Sequence, residues 1–295
     1  MNTPPILFLI FNRPDTTTTV FNRIRKAKPT KLYVAADGAR NEKEEELCKQ
    51  TREIINQVDW ECDVYTLFRD KNLGCKIAVS TAIDWFFQHE EQGIILEDDC
   101  LPDLSFFPFC SELLTKYKDD ERVGHIGGQS FFPHLVSEGV SYDFSYITHI
   151  WGWATWKRVW QHVDMSLAVW NDPKRRTSLF QNKREEIYYT TFIEDVLNGR
   201  KKLNPWSIFY LFSLREQNQL SIYPSVNMVS NIGLNIANAT HTSHVSKDRY
   251  VKEKEITFPL SHPNDMLPNH PIMEATTKRF NTSYKRILRY YFNAY

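Results

Sequence analysis

The chain has 295 residues, of which 42% are hydrophobic, and it carries 36 basic and 36 acidic side chains. This length and composition are typical of a compact globular protein and exclude a largely disordered one. The balanced charge excludes a global field that would attract nucleic acid, so any site for a polyanion must be local.

The cysteines and the N-terminal segment bear on the cellular compartment. Five cysteines, an odd number without Cys-x-x-Cys spacing, predict a reducing compartment. The first apolar run is six residues long, which is too short for a signal-peptide core or a membrane-spanning helix. We therefore expect a cytoplasmic protein that works in the cytosol or on the cytoplasmic face of the inner membrane.

In chain order, apolar runs alternate with helical patterns through the first half. The predicted strands are Ile6 to Phe11, Leu32 to Ala36, Val64 to Phe68, Ile94 to Leu96 and, further on, Val123 to Gly128. The predicted helices between them are Asp15 to Ala27, Glu42 to Val58 and Cys75 to His89, with more helices over residues 157–205. This alternation predicts an α/β protein with a mostly parallel, Rossmann-like central sheet flanked by helices.

The fourth strand runs directly into three consecutive carboxylates, Glu97, Asp98 and Asp99. Like charges at this spacing cost free energy unless a cation or a bound ligand compensates them. Carboxylates without nearby Cys or paired His favour a hard ion, Mn²⁺ or Mg²⁺. The alternative is that the acids cap the next helix, with Asp103 as its N-cap, but one capping acid would suffice.

Other polar residues follow the first three strands. The ends of parallel strands meet in one crevice, where Arg13 and Asp37 would join the acid triplet. The segment from Arg69 to Lys76 adds a basic loop and a helix N-terminus that suit phosphate oxygens. An ordinary turn before a helix is the equal alternative for this segment.

Aromatic residues mark two later segments. Trp151, Trp153 and Trp156 fall within six residues; such rings suit sugars, although core packing is the better account of at least two of them. Residues 278–292 mix basic and aromatic side chains without an acid. That segment predicts either contact with an anionic membrane surface or a closing helix with a solvated basic face.

Taken in order, the motifs resemble those of GT-A-fold glycosyltransferases, specifically the bacterial relatives of the N-acetylglucosaminyltransferase I group. The resemblance covers roughly residues 5–245. It rests on Phe11-Asn12-Arg13-Pro14, Asp37-Gly38, the Arg-x-x-Asn-x-Gly loop from Arg69 to Gly74, Glu97-Asp98-Asp99, the tryptophan segment 151–156, Ser221-Ile222-Tyr223-Pro224, Val229 to Gly233 and Ala239-Thr240-His241-Thr242.

The resemblance implies roles for individual residues. Nucleotide-sugar contacts are expected from Asn12, Arg13, Asp37, Arg69, Asn72, Lys76, Glu97 and Asp98. Asp99, with His241 as a possible second ligand, is expected to bind Mn²⁺ (or Mg²⁺) on the UDP diphosphate, where the ion neutralises charge on the leaving group. Acceptor contacts are expected from Trp151, Trp153 and Trp206.

One departure from the family concerns the catalytic base. Relatives carry an acid after a tryptophan before the Ser-Ile-Tyr-Pro segment, whereas this chain has Trp206-Ser207. A serine hydroxyl without a base behind it cannot take the acceptor proton at neutral pH. Glu194 and Asp195 are the candidate substitutes. The acids that relatives tend to carry after Gly233 are also missing.

These observations predict a metal-dependent, inverting hexosyl- or N-acetylhexosaminyltransferase that moves a sugar from a UDP-sugar to a lipid-linked or surface-polysaccharide glycan. We expect a catalytic domain over 1–245, with a nucleotide-sugar half (1–128) and an acceptor half (129–245), and a C-terminal extension over 246–295 with peripheral membrane contact. One alternative is a nucleotide-sugar-binding protein without transfer activity. A nucleotidyltransferase is disfavoured because no glycine-rich loop follows the first strand. The oligomeric state is left open.

Overall fold

The computed structural model describes residues 2–200, 206–234, 251–279 and 283–292. An eight-stranded sheet forms its centre, in the order β3-β2-β1-β4-β8-β6-β9-β7, and β5 pairs with β10 in a separate two-stranded sheet. The strands are β1 Ile6–Ile10, β2 Lys31–Ala36, β3 Asp63–Phe68, β4 Gln92–Glu97, β5 Cys100–Pro102, β6 Val123–Gly127, β7 Tyr142–Ser145, β8 Trp153–Trp156, β9 Leu220–Pro224 and β10 Val229–Asn231.

Six strands of the large sheet run in one direction, and β7 and β8 run against them. The helices are α1 Pro14–Ala27, α2 Glu42–Glu53, α3 Cys75–His89, α4 Phe106–Lys116, α5 Lys157–Trp160, α6 Pro173–Ser178, α7 Lys183–Leu197, α8 Trp206–Glu216, α9 His270–Lys278 and α10 Tyr284–Phe292. The predicted fold class, an α/β protein with a mostly parallel sheet flanked by helices, is confirmed.

The first half follows the sequence pattern closely. The strands β1, β2 and β4 are continuous apolar runs because helices cover both faces of a parallel sheet, which removes the polar alternation of a one-sided strand. The predicted helix over 42–58 is shorter than expected: α2 ends at Glu53, and a 3₁₀ turn over Ile54–Gln57 follows it. A tighter turn at a helix C-terminus is common.

The second half inserts an antiparallel strand into the middle of the sheet. Strand β8 lies between β4 and β6, so that Trp153 faces Ile95 on one side and Gly127 on the other. Trp153 and Trp156 are both buried in the main core. Core packing therefore accounts for these two tryptophans, which was the favoured explanation for at least two of the three in this segment.

A smaller hydrophobic cluster packs beside the main core. It consists of Leu167, Val169, Trp170, Leu179, Ile193, Phe209 and Phe212, contributed by the segments on either side of α6 and by α7 and α8. A buried ion pair lies between α7 and α8: Arg215 Nη2 donates to Glu185 Oε1 over 2.8 Å, and neither side chain is more than 2% exposed. This pair ties the two helices together electrostatically.

The C-terminal residues are packed onto the preceding structure. Ile256 and Leu260 belong to the main core, and Asn269 donates to Asp143 Oδ2 on β7 over 2.7 Å. Helix α10 packs on α7, where Lys183 donates to the Tyr290 hydroxyl over 2.7 Å. No helix within the described ranges is both long and apolar enough to cross a bilayer.

Candidate functional site

The carboxyl ends of the central parallel strands form the candidate site. Strand β1 lies between β2 and β4, and Leu9 is level with Glu97 while Ile10 is level with Ala36. The segments that follow these strands therefore leave the sheet side by side. Ligands of open α/β sheets bind at this edge, and the structure brings the predicted Arg13, Asp37 and acid triplet to it.

Arg13 bridges two of the three carboxylates. Its Nη2 lies 3.2 Å from Asp98 Oδ1, and its Nη1 donates to Asp99 Oδ2 over 2.8 Å. Asp98 is buried and also accepts the backbone N–H of Phe11 at 3.2 Å. Burial alone would lower the pKa of Arg13, but the two aspartates outweigh it and raise that pKa, so the guanidinium stays charged.

The three carboxyl groups of the site disfavour one another's ionised forms. Burial raises the pKa of Glu97, and the neighbouring Asp99 and Asp98 raise it further. Burial also raises the pKa of Asp98, against the opposing effect of Arg13. Three carboxylates facing one guanidinium are not neutralised when ionised, so a cation is favoured here. Within the described residues the Glu97 carboxylate has no hydrogen-bond partner, which leaves it available to a ligand.

Asp37 holds the loop that leads into α3. One carboxylate oxygen accepts the N–H of Leu73 over 2.9 Å, and the other accepts that of Gly74 over 3.0 Å. In the opposite direction, Asn72 Nδ2 donates a hydrogen bond to the carbonyl of Gly38 over 2.7 Å. A Cβ on Gly38 would lie 2.4 Å from the backbone carbon of Lys71, so this close approach requires glycine. The loop and the β2 end are therefore fixed against each other.

Asp37→Asn is expected to lower the free energy of unfolding by about 1–3 kcal/mol, because an amide NH₂ replaces one of the two accepting oxygens and leaves a loop N–H unpaired. Urea unfolding of the variant measures this loss. Asp70→Asn, an exposed acid in the same loop, is the matched control and should unfold at the wild-type midpoint. Equal midpoints for both variants would show that the carboxylate does not hold the loop.

The other predicted nucleotide-sugar residues have protein partners. Asn12 is buried beside Glu44 of α2. Arg69 Nη2 donates to Thr81 Oγ1 on α3 over 2.6 Å. Lys76 Nζ donates to the carbonyl of Met165 over 2.8 Å and lies 3.6 Å from the centre of the Phe209 ring. Burial lowers the pKa of Lys76. The structure thus places Lys76 in a packing contact between α3 and α8.

Gly233 ends a sequence motif to which no role at the site was assigned, and the structure places it there. Strand β10 pairs with β5, and the N–H of Ile232 donates to the carbonyl of Asp99 over 2.8 Å. This pairing brings Gly233 so close that an added Cβ would lie 2.4 Å from Asp99 Oδ2 and 2.8 Å from Arg13 Nη1. The Asn-Ile-Gly end of the Val229 to Gly233 motif was the available signal.

The predicted acceptor tryptophans are in two different environments. Trp153 and Trp206 are buried and stack on each other with ring centres 5.7 Å apart, so their faces contact other rings rather than solvent. Trp151 is only partly buried, and its ring centre lies 6.0 Å from that of Phe131. Of the three, Trp151 alone presents surface that an acceptor could contact in this conformation.

The candidate bases lie on α7 and α8. Asp195 on α7 is buried, its Oδ1 accepts Arg289 Nη2 of α10 over 2.6 Å, and Arg200 Nε is 3.3 Å away. Its carboxylate is thus engaged in holding α10 on α7. Glu194 is partly buried on the same helix, and Ser207 is partly buried in the first turn of α8. None of the three has a described contact with the acid triplet.

Among the described residues, Asp99 offers a partly exposed carboxylate to a metal ion. Within them, no three His, Cys, Asp or Glu side chains form a preformed cage. Asp99 is partly exposed, and while its Oδ2 is held by Arg13, its Oδ1 faces the Cys100 thiol at 3.6 Å. This fits a divalent cation that takes one protein carboxylate and completes its shell with phosphate oxygens and water. The predicted His241 lies outside the described residues.

Comparisons with known proteins add little to this geometry. No protein-family model matches the chain, and no curated protein matches it. Among solved structures, an apo UDP-glucose pyrophosphorylase is 9% identical, with 77% of this chain and 93% of that one covered, at a TM-score of 0.37. A cytidylyltransferase from Leptospira borgpetersenii serovar Hardjo-bovis is 12% identical, with 68% and 74% covered, at 0.35. Both scores are below 0.5, so neither likeness bears on the function of this chain.

Proposed function

We propose that this protein is a metal-assisted glycosyltransferase that transfers a hexose or N-acetylhexosamine from a UDP-sugar to a glycan acceptor. The observation that carries the proposal is the contact of Arg13 with Asp98 and Asp99 at the carboxyl ends of β1 and β4. It assembles, in space, motifs that lie far apart in the sequence and that resemble those of GT-A-fold enzymes.

In this proposal each of the residues at the strand ends has a different role. Asp99 would hold Mn²⁺ or Mg²⁺, which when bound supplies charge neutralisation for the departing diphosphate. Arg13 fixes the orientation of the Asp99 carboxylate through the 2.8 Å bond. Asp37 fixes the loop before α3 against the crevice, and Glu97 is available for a sugar or ribose hydroxyl.

The acceptor would enter from the side of Trp151 and Phe131, where the only predicted acceptor tryptophan with exposed surface lies. We propose direct displacement with inversion and a lipid-linked or surface-polysaccharide acceptor, both on the family resemblance. Contact with the cytoplasmic face of a membrane would use the exposed Tyr284 and Tyr291 of α10.

UDP release from UDP-sugars tests this function. With Mn²⁺ and a lipid-extract acceptor, the wild type should release UDP, and EDTA should abolish the release. Asp99→Asn should lower it by about 100-fold or more, since the carboxylate proposed to hold the metal is lost. Asp119→Asn, a remote exposed acid, is the control and should keep wild-type turnover. EDTA-insensitive release, or full activity of Asp99→Asn, would contradict the metal role.

A second candidate function is nucleotide-sugar binding without transfer. It is favoured by one observation: Asp195, a candidate base, is buried in ion pairs with Arg289 and Arg200. Titration calorimetry separates the two candidates. Binding of a UDP-sugar with no acceptor-dependent release supports the binding protein, and acceptor-stimulated release supports the transferase.

A further inference from the structure

Strand β3 forms one edge of the large sheet and is unusually exposed. Its side chains Val64, Tyr65 and Phe68 are 36–41% exposed. The strand pairs with β2 in an unbroken register over all six residues, without a bulge, and contains neither proline nor lysine. Edge strands are normally protected by such features because they otherwise recruit another strand. The β3 edge lacks these protective features.

The backbone of β3 shows which groups face the free edge. The N–H of Asp63 donates to Thr30, and that of Arg69 donates to Ala36, so the odd-numbered residues bond to the β2 side. In a parallel pair, alternate residues direct both N–H and C=O to opposite edges. The backbone groups of Val64, Thr66 and Phe68 therefore point outward, and within the described residues no strand pairs with them.

The two ends of this edge carry charges of opposite sign. Glu61 and Asp63 stand at its beginning. Arg69 and Lys71 stand at its end with Asp70 between them, so the beginning has a net negative charge and the end a net positive one. A strand of this pattern is complementary to an antiparallel copy of itself, because its acidic end would then lie beside the basic end of the other copy. It is not complementary to a parallel copy, which would place like charges together.

We propose that two copies of this chain associate through antiparallel pairing of their β3 strands, with Thr66 on the two-fold axis. The outward backbone groups then match as hydrogen-bonded pairs, Thr66 with Thr66 and Val64 with Phe68. Tyr65 faces Leu67, Asp63 faces Arg69, and Glu61 comes near Lys71. A shift by two residues in either direction leaves Asp63 or Arg69 opposite an uncharged residue. The large sheet becomes continuous through both copies, as in an isologous dimer.

A disulfide trap tests the register. In a hydrogen-bonded antiparallel pair the facing Cα atoms are about 5.5 Å apart, within disulfide range. Thr66→Cys, in a background with Cys62→Ser and Cys75→Ser, should therefore oxidise to a covalent dimer. Val64→Cys in the same background is the matched control: its two copies would be about 13 Å apart along the strands. The covalent dimer should exceed the control by about tenfold, and adding Phe68→Cys to Val64→Cys should restore it.

Light scattering tests the association without a cross-link. The wild type should show about twice the 34.9 kDa chain mass. Thr66→Lys places two like charges on the axis and should raise the dimer dissociation constant by about tenfold or more. Thr19→Lys, on the exposed side of α1, should leave it unchanged. A monomeric wild type with no Thr66→Cys disulfide, or equal cross-linking of Thr66→Cys and Val64→Cys, would overturn the proposal.

Discussion

Replacing Arg215 with methionine is expected to lower the free energy of unfolding by about 3–5 kcal/mol, because it leaves the carboxylate of Glu185 buried without its countercharge. Glu185 is completely buried and Arg215 is 2% exposed at the side chain. The guanidinium also donates to the carbonyls of Tyr146 and Leu179, at 3.1 and 3.2 Å. The free energy of unfolding of an ordinary domain is about 5–15 kcal/mol, so this loss would be a large part of it.

Glu185 has a second structural role, at the start of α7, and Arg215→Met leaves those contacts in place. Asn182 caps α7 by accepting the N–H of Glu185 over 3.0 Å, and Glu185 accepts the N–H of Gln181 over 2.7 Å. This arrangement resembles a capping box, except that the glutamate binds the N–H of the residue before the N-cap rather than that of the N-cap itself. The unpaired charge of the Arg215 variant would therefore sit at the start of α7, where the N–H of Gln181 is the hydrogen-bond donor that remains to it among the described residues.

Urea unfolding measures the effect. The double variant Glu185→Leu/Arg215→Met removes both charges, so it distinguishes the cost of a buried unpaired carboxylate from the loss of the ion pair itself. If the penalty is the orphaned charge, the double variant should be more stable than Arg215→Met alone. Lys157→Met, which breaks the surface pair with Glu91, is the control and should leave the unfolding midpoint unchanged. A shift for Arg215→Met no larger than that of the control would refute the argument.

The first half of the fold was predictable because its signals are local. Strands β1, β2 and β4 are apolar runs bounded by polar residues, and β3 is rich in β-branched and aromatic residues. Helix α3 begins and ends where its periodicity predicts. Capping and turn residues within a few positions decide such boundaries. The α2 prediction failed only at its end, where Ile54–Gln57 tightens into a 3₁₀ turn while keeping the apolar spacing of a helix.

The second half was not predictable in the same way, because its pairing is between distant segments. No sequence pattern near Trp153 predicts that β8 lies between β4 and β6 in the sheet. The same holds for Asp195: its partner Arg289 is 94 residues away. A carboxylate that will be neutralised by a distant arginine looks, in sequence, the same as one that is free to act as a base.

The candidate site was predictable to the extent that strand ends imply a common edge. Arg13, Asp98 and Asp99 follow β1 and β4, and the parallel register brings them into contact. Gly233 is brought to the site by the antiparallel pairing of β10 with β5, and no local sequence pattern predicts that pairing. A three-residue strand is too short to be recognised by periodicity.

Gly233→Ala is expected to lower the affinity for UDP-sugars by at least about tenfold while leaving the fold intact. The added methyl group would lie 2.4 Å from Asp99 Oδ2 and 2.8 Å from both the Asp99 Cβ and Arg13 Nη1. Such contacts are too short to persist, so the Arg13–Asp99 pair must move. The two side chains that move are those proposed to hold the metal and to orient it, so binding is lost before stability is.

Calorimetric titration with UDP in the presence of Mn²⁺ measures the loss, and urea unfolding checks the fold. Gly139→Ala is the matched control: nothing lies within 4 Å of its added Cβ, but its φ of +79° makes a side chain unfavourable. That variant should cost about 1–2 kcal/mol of stability and no affinity. The two glycines thus separate a steric effect on the site from a backbone effect on the fold. Wild-type affinity in Gly233→Ala would show that nucleotide binding does not depend on the Arg13–Asp99 pair.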